Sequence, residues 1–177
     1  PHVFTFGDLA FFDIDGTRLN VAGEIPPVRD TAAHFDLSGG RATISLKSGT
    51  SYFPSGRSVT LQPSTFVLPS TYDKPLMADA DISVSGSADA VGELLTYKPI
   101  KVLQRAGFVP DDLKGNIDAH VKAHFGLLSS QNPPPPEWQA QMKLTDVALA
   151  KPFSGRMITD LDGTLDADPQ QIKVKGN

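Results

Sequence analysis

Apolar and polar residues alternate one for one through most of this chain, and that period dictates strands. In GRATISLKSG, Ala42, Ile44 and Leu46 interleave with Arg41, Thr43, Ser45 and Lys47. MADADISVSG sets Ala78, Ala80, Ile82 and Val84 against Asp79, Asp81, Ser83 and Ser85. NIDAHVKAHF opposes Ile117, Ala119, Val121, Ala123 and Phe125 to Asp118, His120, Lys122 and His124. WQAQMKLT repeats the pattern with Trp138, Ala140, Met142 and Leu144, and AAHFDLS with Ala33, Phe35 and Leu37. Side chains on a strand point to opposite faces in turn, so each segment has one oily face and one wet face. Turn signals separate the segments: SGG at 38–40, FPSG at 53–56, LPSTYDKP at 68–75 and NPPPP at 132–136. Fifteen Gly and fifteen Pro in 177 residues fit so many reversals.

One stretch departs from this period. Between 87 and 114 the spacing is helical: Val91, Leu94 and Leu95 share a face, with Ser87 or Asp89 as the N-cap. Pro99 suits the first turn of a second short helix through about Ala106, with Gly107 as its stop. The expected fold is mainly β: one domain over 1–177, a long antiparallel run interrupted by a helical insert. It is not a βαβ alternation.

Two strings invite a catalytic reading. FFDIDGTRLN (Phe11 to Asn20) and ITDLDGTLDAD (Ile158 to Asp168) both contain Asp-x-Asp-Gly-Thr. The string resembles the nucleophile loop of haloacid dehalogenase-type phosphotransferases, with Asp13 and Asp15, or Asp160 and Asp162, as nucleophile and proton carrier beside Mg²⁺. That chemistry needs a parallel strand in a doubly wound sheet, and RLNVAGEIPPV after Thr17 is no amphipathic helix. Asp-Gly between strand-like runs reads instead as a hairpin turn, and a glycine bulge within a strand serves equally well. A calcium loop would want glycine at its sixth position, not its fourth. The two copies hint at a weak internal repeat.

His120 and His124 have the spacing of a helical zinc pair, but on a strand four residues span about 13 Å, too far to share an ion. They read as a solvated face. Pro133 to Pro136 reads as a stiff loop rather than a polyproline ligand, and Trp138 as a core or edge anchor. A net charge of −4 leaves no basic footprint for nucleic acid. The absence of cysteine excludes disulfides and thiolate zinc sites. PHVFTFGD and QIKVKGN read as strands at the two ends, so the chain reads as a piece of a longer protein.

The oily face needs a cover: a second sheet, or a ligand in a concave groove. SGSADAVGELLTYKPIKVLQRAGFVPDDLKGNIDAHVKAHFGL bears on this choice. It has a strand ending in Ser85, Gly86 and Ala88, an insert with Pro99, and a Gly107-Phe108-x-Pro110 turn. Leu113 to Gly115 then open an alternating strand. Upstream stand a Pro-Pro-Val-x-Asp run (Pro26 to Asp30) and a Pro-Ser-Gly hairpin (Pro54 to Gly56). Over roughly 3–177 this pattern resembles the AsmA-like domain of large bacterial envelope proteins of the YhdP type, relatives of AsmA and TamB. The resemblance implies an elongated, curved sheet with a hydrophobic groove, anchored elsewhere in the chain to the inner membrane. It further implies a periplasmic, non-enzymatic role in phospholipid transport toward the outer membrane, supporting envelope integrity, with no cofactor. Acyl chains would be the ligand and other envelope proteins possible partners. By alternation, the lipid-facing candidates are Ile44, Leu46, Ile82, Val84, Ile117, Val121, Phe125, Met142 and Leu144. Two other readings stay open: a structural module that pairs through its strand edges, and the phosphotransferase.

Overall fold

The computed structural model describes residues 4–6, 9–20, 24–97, 103 and 107–176. Its strands are β1 (Phe4–Phe6), β2 (Leu9–Leu19), β3 (Val28–Ser38), β4 (Arg41–Tyr52), β5 (Ser58–Leu61) and β6 (Ser64–Leu68), followed by β7 (Met77–Ser87), β8 (Leu113–Gly126), β9 (Glu137–Leu149), β10 (Leu161–Ala167) and β11 (Ile172–Gly176). They form a single sheet in chain order, with every described pairing antiparallel. Chain order follows from the connections: turns join most neighbours, the helical insert returns the chain from β7 to the adjacent β8, and no crossover to a parallel strand occurs in the described sheet. Strands β5 and β6 share one position, each pairing β4 on one side and β7 on the other. Gln62 and Pro63 part them where proline removes a ladder donor.

The alternating segments are strands as read, and SGG and FPSG close the β3–β4 and β4–β5 hairpins. The Asp-x-Asp-Gly-Thr strings are not hairpin turns. Both lie inside strands, β2 and β10. Gly16, at φ +63°, is an extra residue in β2: Asp15 pairs Ala32 and Thr17 pairs Thr31. This is the glycine bulge that the residues also allowed. At the second string the extra residue belongs to the partner strand. Leu161 pairs Val147 and Gly163 pairs Leu144, which bulges β9 around Asp146, at φ +51°. The Asp146 N–H thereby leaves the ladder and donates to Asp162 Oδ1 at 3.0 Å. So this aspartate caps a bulge.

Asp30 in β3 has the same left-handed backbone, φ +53°, and interrupts the registers to β2 and β4. Each bulge resets the side-chain parity of its strand. Leu144 and Val147 therefore both face the core, three residues apart, and Val28 and Thr31 are likewise both buried. The two strings meet these bulges at different offsets: Arg18 lies opposite Asp30, but Asp162 lies opposite Asp146. An internal repeat is therefore not expressed as a common register.

On the other side of β9, Gly115 of β8 faces the Asp146 bulge at φ +99°. A Cβ there would run into the Asp146 carbonyl oxygen and the Thr145 carbonyl, both backbone atoms. Gly115→Ala should therefore cost about 2 kcal/mol or more, from unfavourable φ plus displacement of the bulge. Thermal unfolding would register it as a fall of roughly 5 °C. An unchanged midpoint would mean that the bulge yields freely.

Helix α1 (Ala88–Leu94) continues directly from β7, and a 3₁₀ turn at Pro110–Asp112 leads into β8. Ser87 is the N-cap residue, yet its side chain makes no hydrogen bond to the helix backbone. The buried face is Ala88, Ala90 and Val91, with Leu94 packed at its edge, rather than Val91, Leu94 and Leu95. Of the expected second helix, Pro99 to Ala106, Leu103 is described and is helical and buried; the rest lies outside the described residues, as do Pro1 to Val3, Gly7 and Asp8.

Candidate functional site: the apolar face of the sheet

Register alone aligns the apolar residues in rows across the sheet. One row runs Phe35, Ile44, Phe66, Ala80, Ala123, Trp138. The next runs Ile82, Val121, Ala140, Ala167. A third runs Val84, Ala119, Met142, Leu165, and a fourth pairs Ile117 with Leu144. Leu46 pairs Ala33 on the same face, and Phe125 pairs Ala78. The predicted candidates therefore all share one face, on strands β4, β7, β8 and β9.

They do not share one environment. Val84, Ile117 and Leu144 are buried under α1, where they cluster with Phe53, Val59, Ala88, Val91, Ala119 and Val147. Met142 and Ile82 pack against that cluster at its margin. Leu46 is also buried, away from the helix. Ile44, Val121 and Phe125 are half-buried, as are Phe35, Phe66 and Trp138 beside them. Phe66 and Phe125 approach with ring centroids 6.2 Å apart, and their cross-strand partners Ala80 and Ala78 are buried. The face thus has a helix-roofed end and an end where half-exposed aromatic rings flank buried alanines. Trp138 is part of the second end.

The opposite face is polar and orderly. Asp79 pairs His124 and Asp81 pairs Lys122 across the β7–β8 ladder. His124 Nδ1 lies 2.6 Å from Asp79 Oδ1, and His120 Nε2 2.6 Å from Asp81 Oδ1. The bonded His120 ring holds the Asp81 carboxyl below its ordinary range, with burial opposing and Lys122 adding to the effect. His34 and Asp13 repeat the arrangement between β2 and β3 at 2.9 Å. A shallow depression of about 330 Å³ is lined by Asp79, Asp81, Lys122 and His124 of this side and also by Ala80, Ala123 and Trp138 of the first apolar row.

Among the described residues, no group of three or more His, Cys, Asp or Glu is placed to hold a metal ion. The two Asp-x-Asp-Gly-Thr strands stand near opposite margins of the sheet, so their carboxylates cannot form one site. Neither follows a parallel strand in the described sheet. No described helix is long and apolar enough to cross a membrane.

Sequence reasoning missed Arg57. Its guanidinium reaches Asp89 at 2.7 Å and Glu93 at 3.1 Å on α1, and Asp111 in the 3₁₀ turn. Ser55 Oγ also donates to Glu93. Hydrogen bonds donated to Asp89, Glu93 and Asp111 raise the Arg57 pKa further above its already high value, against the opposing effect of burial. Burial works to raise the Asp89 carboxyl, but hydrogen bonds from Ser87, Arg57 and the Ala90 N–H outweigh it and hold it low. The Pro-Ser-Gly hairpin therefore fastens the roof over the apolar face. Comparisons with known protein families, characterised proteins and solved structures return no match.

Proposed function

We propose that this chain is a non-enzymatic, lipid-handling β segment of the AsmA-like kind, whose apolar face receives phospholipid acyl chains. The observation that supports this reading is the continuous row of apolar side chains across β4 to β9, roofed among the described residues by α1 at one end. Acyl chains laid along the unroofed end would withdraw both their own surface and that of Ile44, Phe66, Val121 and Phe125 from water. The gain is about 25 cal/mol per Å² of apolar surface buried. In this reading the segment works in the periplasm as part of a membrane-anchored protein, shielding chains in transit between membranes.

Native mass spectrometry of the purified protein, with lipid extraction and a delipidated control, tests the reading. Stoichiometric phospholipid is expected. Val121→Asp should abolish it while the protein stays folded, because Val121 is half-buried and clear of the helix. A charge at Gln139, on the polar face, should leave it intact. A lipid-free wild type, or lipid retained by Val121→Asp, overturns the proposal.

A second reading rests on strand β11. Every residue of it is exposed, Ile172 at 62% and Val174 at 48%, and among the described strands it pairs only with β10. Such an edge is suited to adding a further strand. A lipid-free preparation that self-associates would favour a scaffolding role over a lipid-binding one.

A further inference from the structure

The connection between β9 and β10 carries a feature that neither the alternation nor the apolar face accounts for. Its segment KPFSGRM, Lys151 to Met157, is exposed at every position. It is nonetheless an ordered hairpin. Phe153 and Arg156 exchange backbone hydrogen bonds at 2.9 and 3.0 Å around Ser154 and Gly155, both at positive φ. The base is tied by Leu149 N–H to the Ile158 carbonyl at 3.0 Å and by Ala150 N–H to the Asp112 carbonyl at 2.8 Å. Lys151 Nζ meets Asp112 Oδ2 at 2.7 Å. This small, braced projection displays Phe153 at 43% and Met157 at 58% exposure. Val109, at 50%, stands beside it, since its neighbour Phe108 packs its ring 6.1 Å from that of Phe153.

Large apolar groups held on an ordered tip, rather than folded back, mark an interaction surface. The charge around them narrows the partner. The whole chain is net negative, −4, yet no acidic residue occurs between Asp146 and Asp160. Asp112 is matched by Lys151, while Asp111 shares Arg57 with Asp89 and Glu93 on α1. Arg156 has no acidic partner among the described residues. The hairpin itself thus carries only cations and apolar groups among its charged and large side chains, on an acidic protein. A protein partner would need roughly 800 Å² from each side for a stable contact, more than a short hairpin and one adjoining turn offer. A bilayer surface needs only a few apolar side chains to enter the acyl boundary and a cation to meet anionic headgroups.

We infer that the Lys151–Met157 hairpin, with Val109, is a docking tip for an anionic lipid bilayer. Phe153 and Met157 enter the interface, and Arg156 stays at headgroup level. This inference is independent of acyl-chain binding on the sheet face.

Co-sedimentation of the whole chain with two kinds of vesicle tests it: phosphatidylcholine alone, and phosphatidylcholine mixed with phosphatidylglycerol. Binding to the mixed vesicles, weakened by salt, is expected. The F153S/M157S double variant should weaken partitioning by at least about tenfold. R156E should remove the preference for the mixed vesicles. Circular dichroism should be unchanged in both, because all three positions are exposed. Val121→Asp should still sediment with the mixed vesicles, which separates this surface from the sheet face. Absence of wild-type binding to the mixed vesicles, or equal binding by the double variant, overturns the inference.

Discussion

Truncating Leu144 to alanine should lower stability by about 3 kcal/mol, while Val121→Ala should cost about 1 kcal/mol or less. Both side chains lie on the same face of the sheet, so alternation alone would treat them alike. Their surroundings differ. Leu144 is 6% exposed, faces Ile117 across the β8–β9 ladder and belongs to the cluster beneath α1. Removing its methyls leaves a cavity enclosed by helix and sheet, which relaxes only partly. Val121 is half-buried between Ile82 and Ala140, where solvent or neighbouring side chains can fill the space. Thermal melts should separate the variants: a fall of roughly 10 °C for Leu144→Ala against a few degrees for Val121→Ala. Equal falls would mean that the face is uniformly covered, and the unroofed end would then be core rather than binding surface. The same distinction governs the choice of test variants for lipid binding. A charge at Ile117 or Leu144 would unfold the protein before it reported on a ligand.

How far the sequence could be read depended on the range of the interaction. The alternation in GRATISLKSG, MADADISVSG, NIDAHVKAHF and WQAQMKLT is a local signal and located β4, β7, β8 and β9, including which residues share a face. His120 and His124 fell on the wet face for the same reason. The Asp-Gly-Thr strings were ambiguous because an Asp-Gly pair suits a hairpin and a bulge equally. What decides is the partner strand: Asp146, with left-handed backbone, sits opposite Asp162 and hands it a free N–H. Nothing near Asp162 in sequence announces that. The burial of Val147 immediately after polar Asp146 was similarly hidden, since a bulge must first be known before the change of parity makes sense. Division of the apolar face into roofed and open ends was also illegible, because it depends on where α1 lands. So was Arg57. Its partners Asp89, Glu93 and Asp111 are distant in sequence, and an arginine after a Pro-Ser-Gly turn reads as an ordinary exposed cation.

That arginine carries the second large effect. Arg57→Met should lower the midpoint of thermal unfolding by roughly 5 °C or more, and the loss should shrink in acid. The guanidinium joins α1 to the β4–β5 hairpin and to the 3₁₀ turn. Methionine keeps much of the stem but removes every donor. Asp89 and Glu93, one helical turn apart, then face each other with their shared cation gone, and Glu93 is only 8% exposed. The pH dependence follows from the depressed Asp89 carboxyl. A group whose folded pKa lies below its unfolded value contributes stability above the unfolded value, near pH 4, and loses that contribution as pH falls through the folded value. Asp112, held low first by Lys151 and then by the Val109 N–H, behaves the same way on the neighbouring turn. Wild type should therefore lose stability as pH drops below about 4. Arg57→Met, already without part of that contribution, should lose less over the same interval. Unfolding curves of the two proteins at neutral pH and in acid should converge. Parallel curves would place the effect of Arg57 in packing of its stem against α1 rather than in charge, and the roof would then be held by Val91 and its apolar neighbours alone.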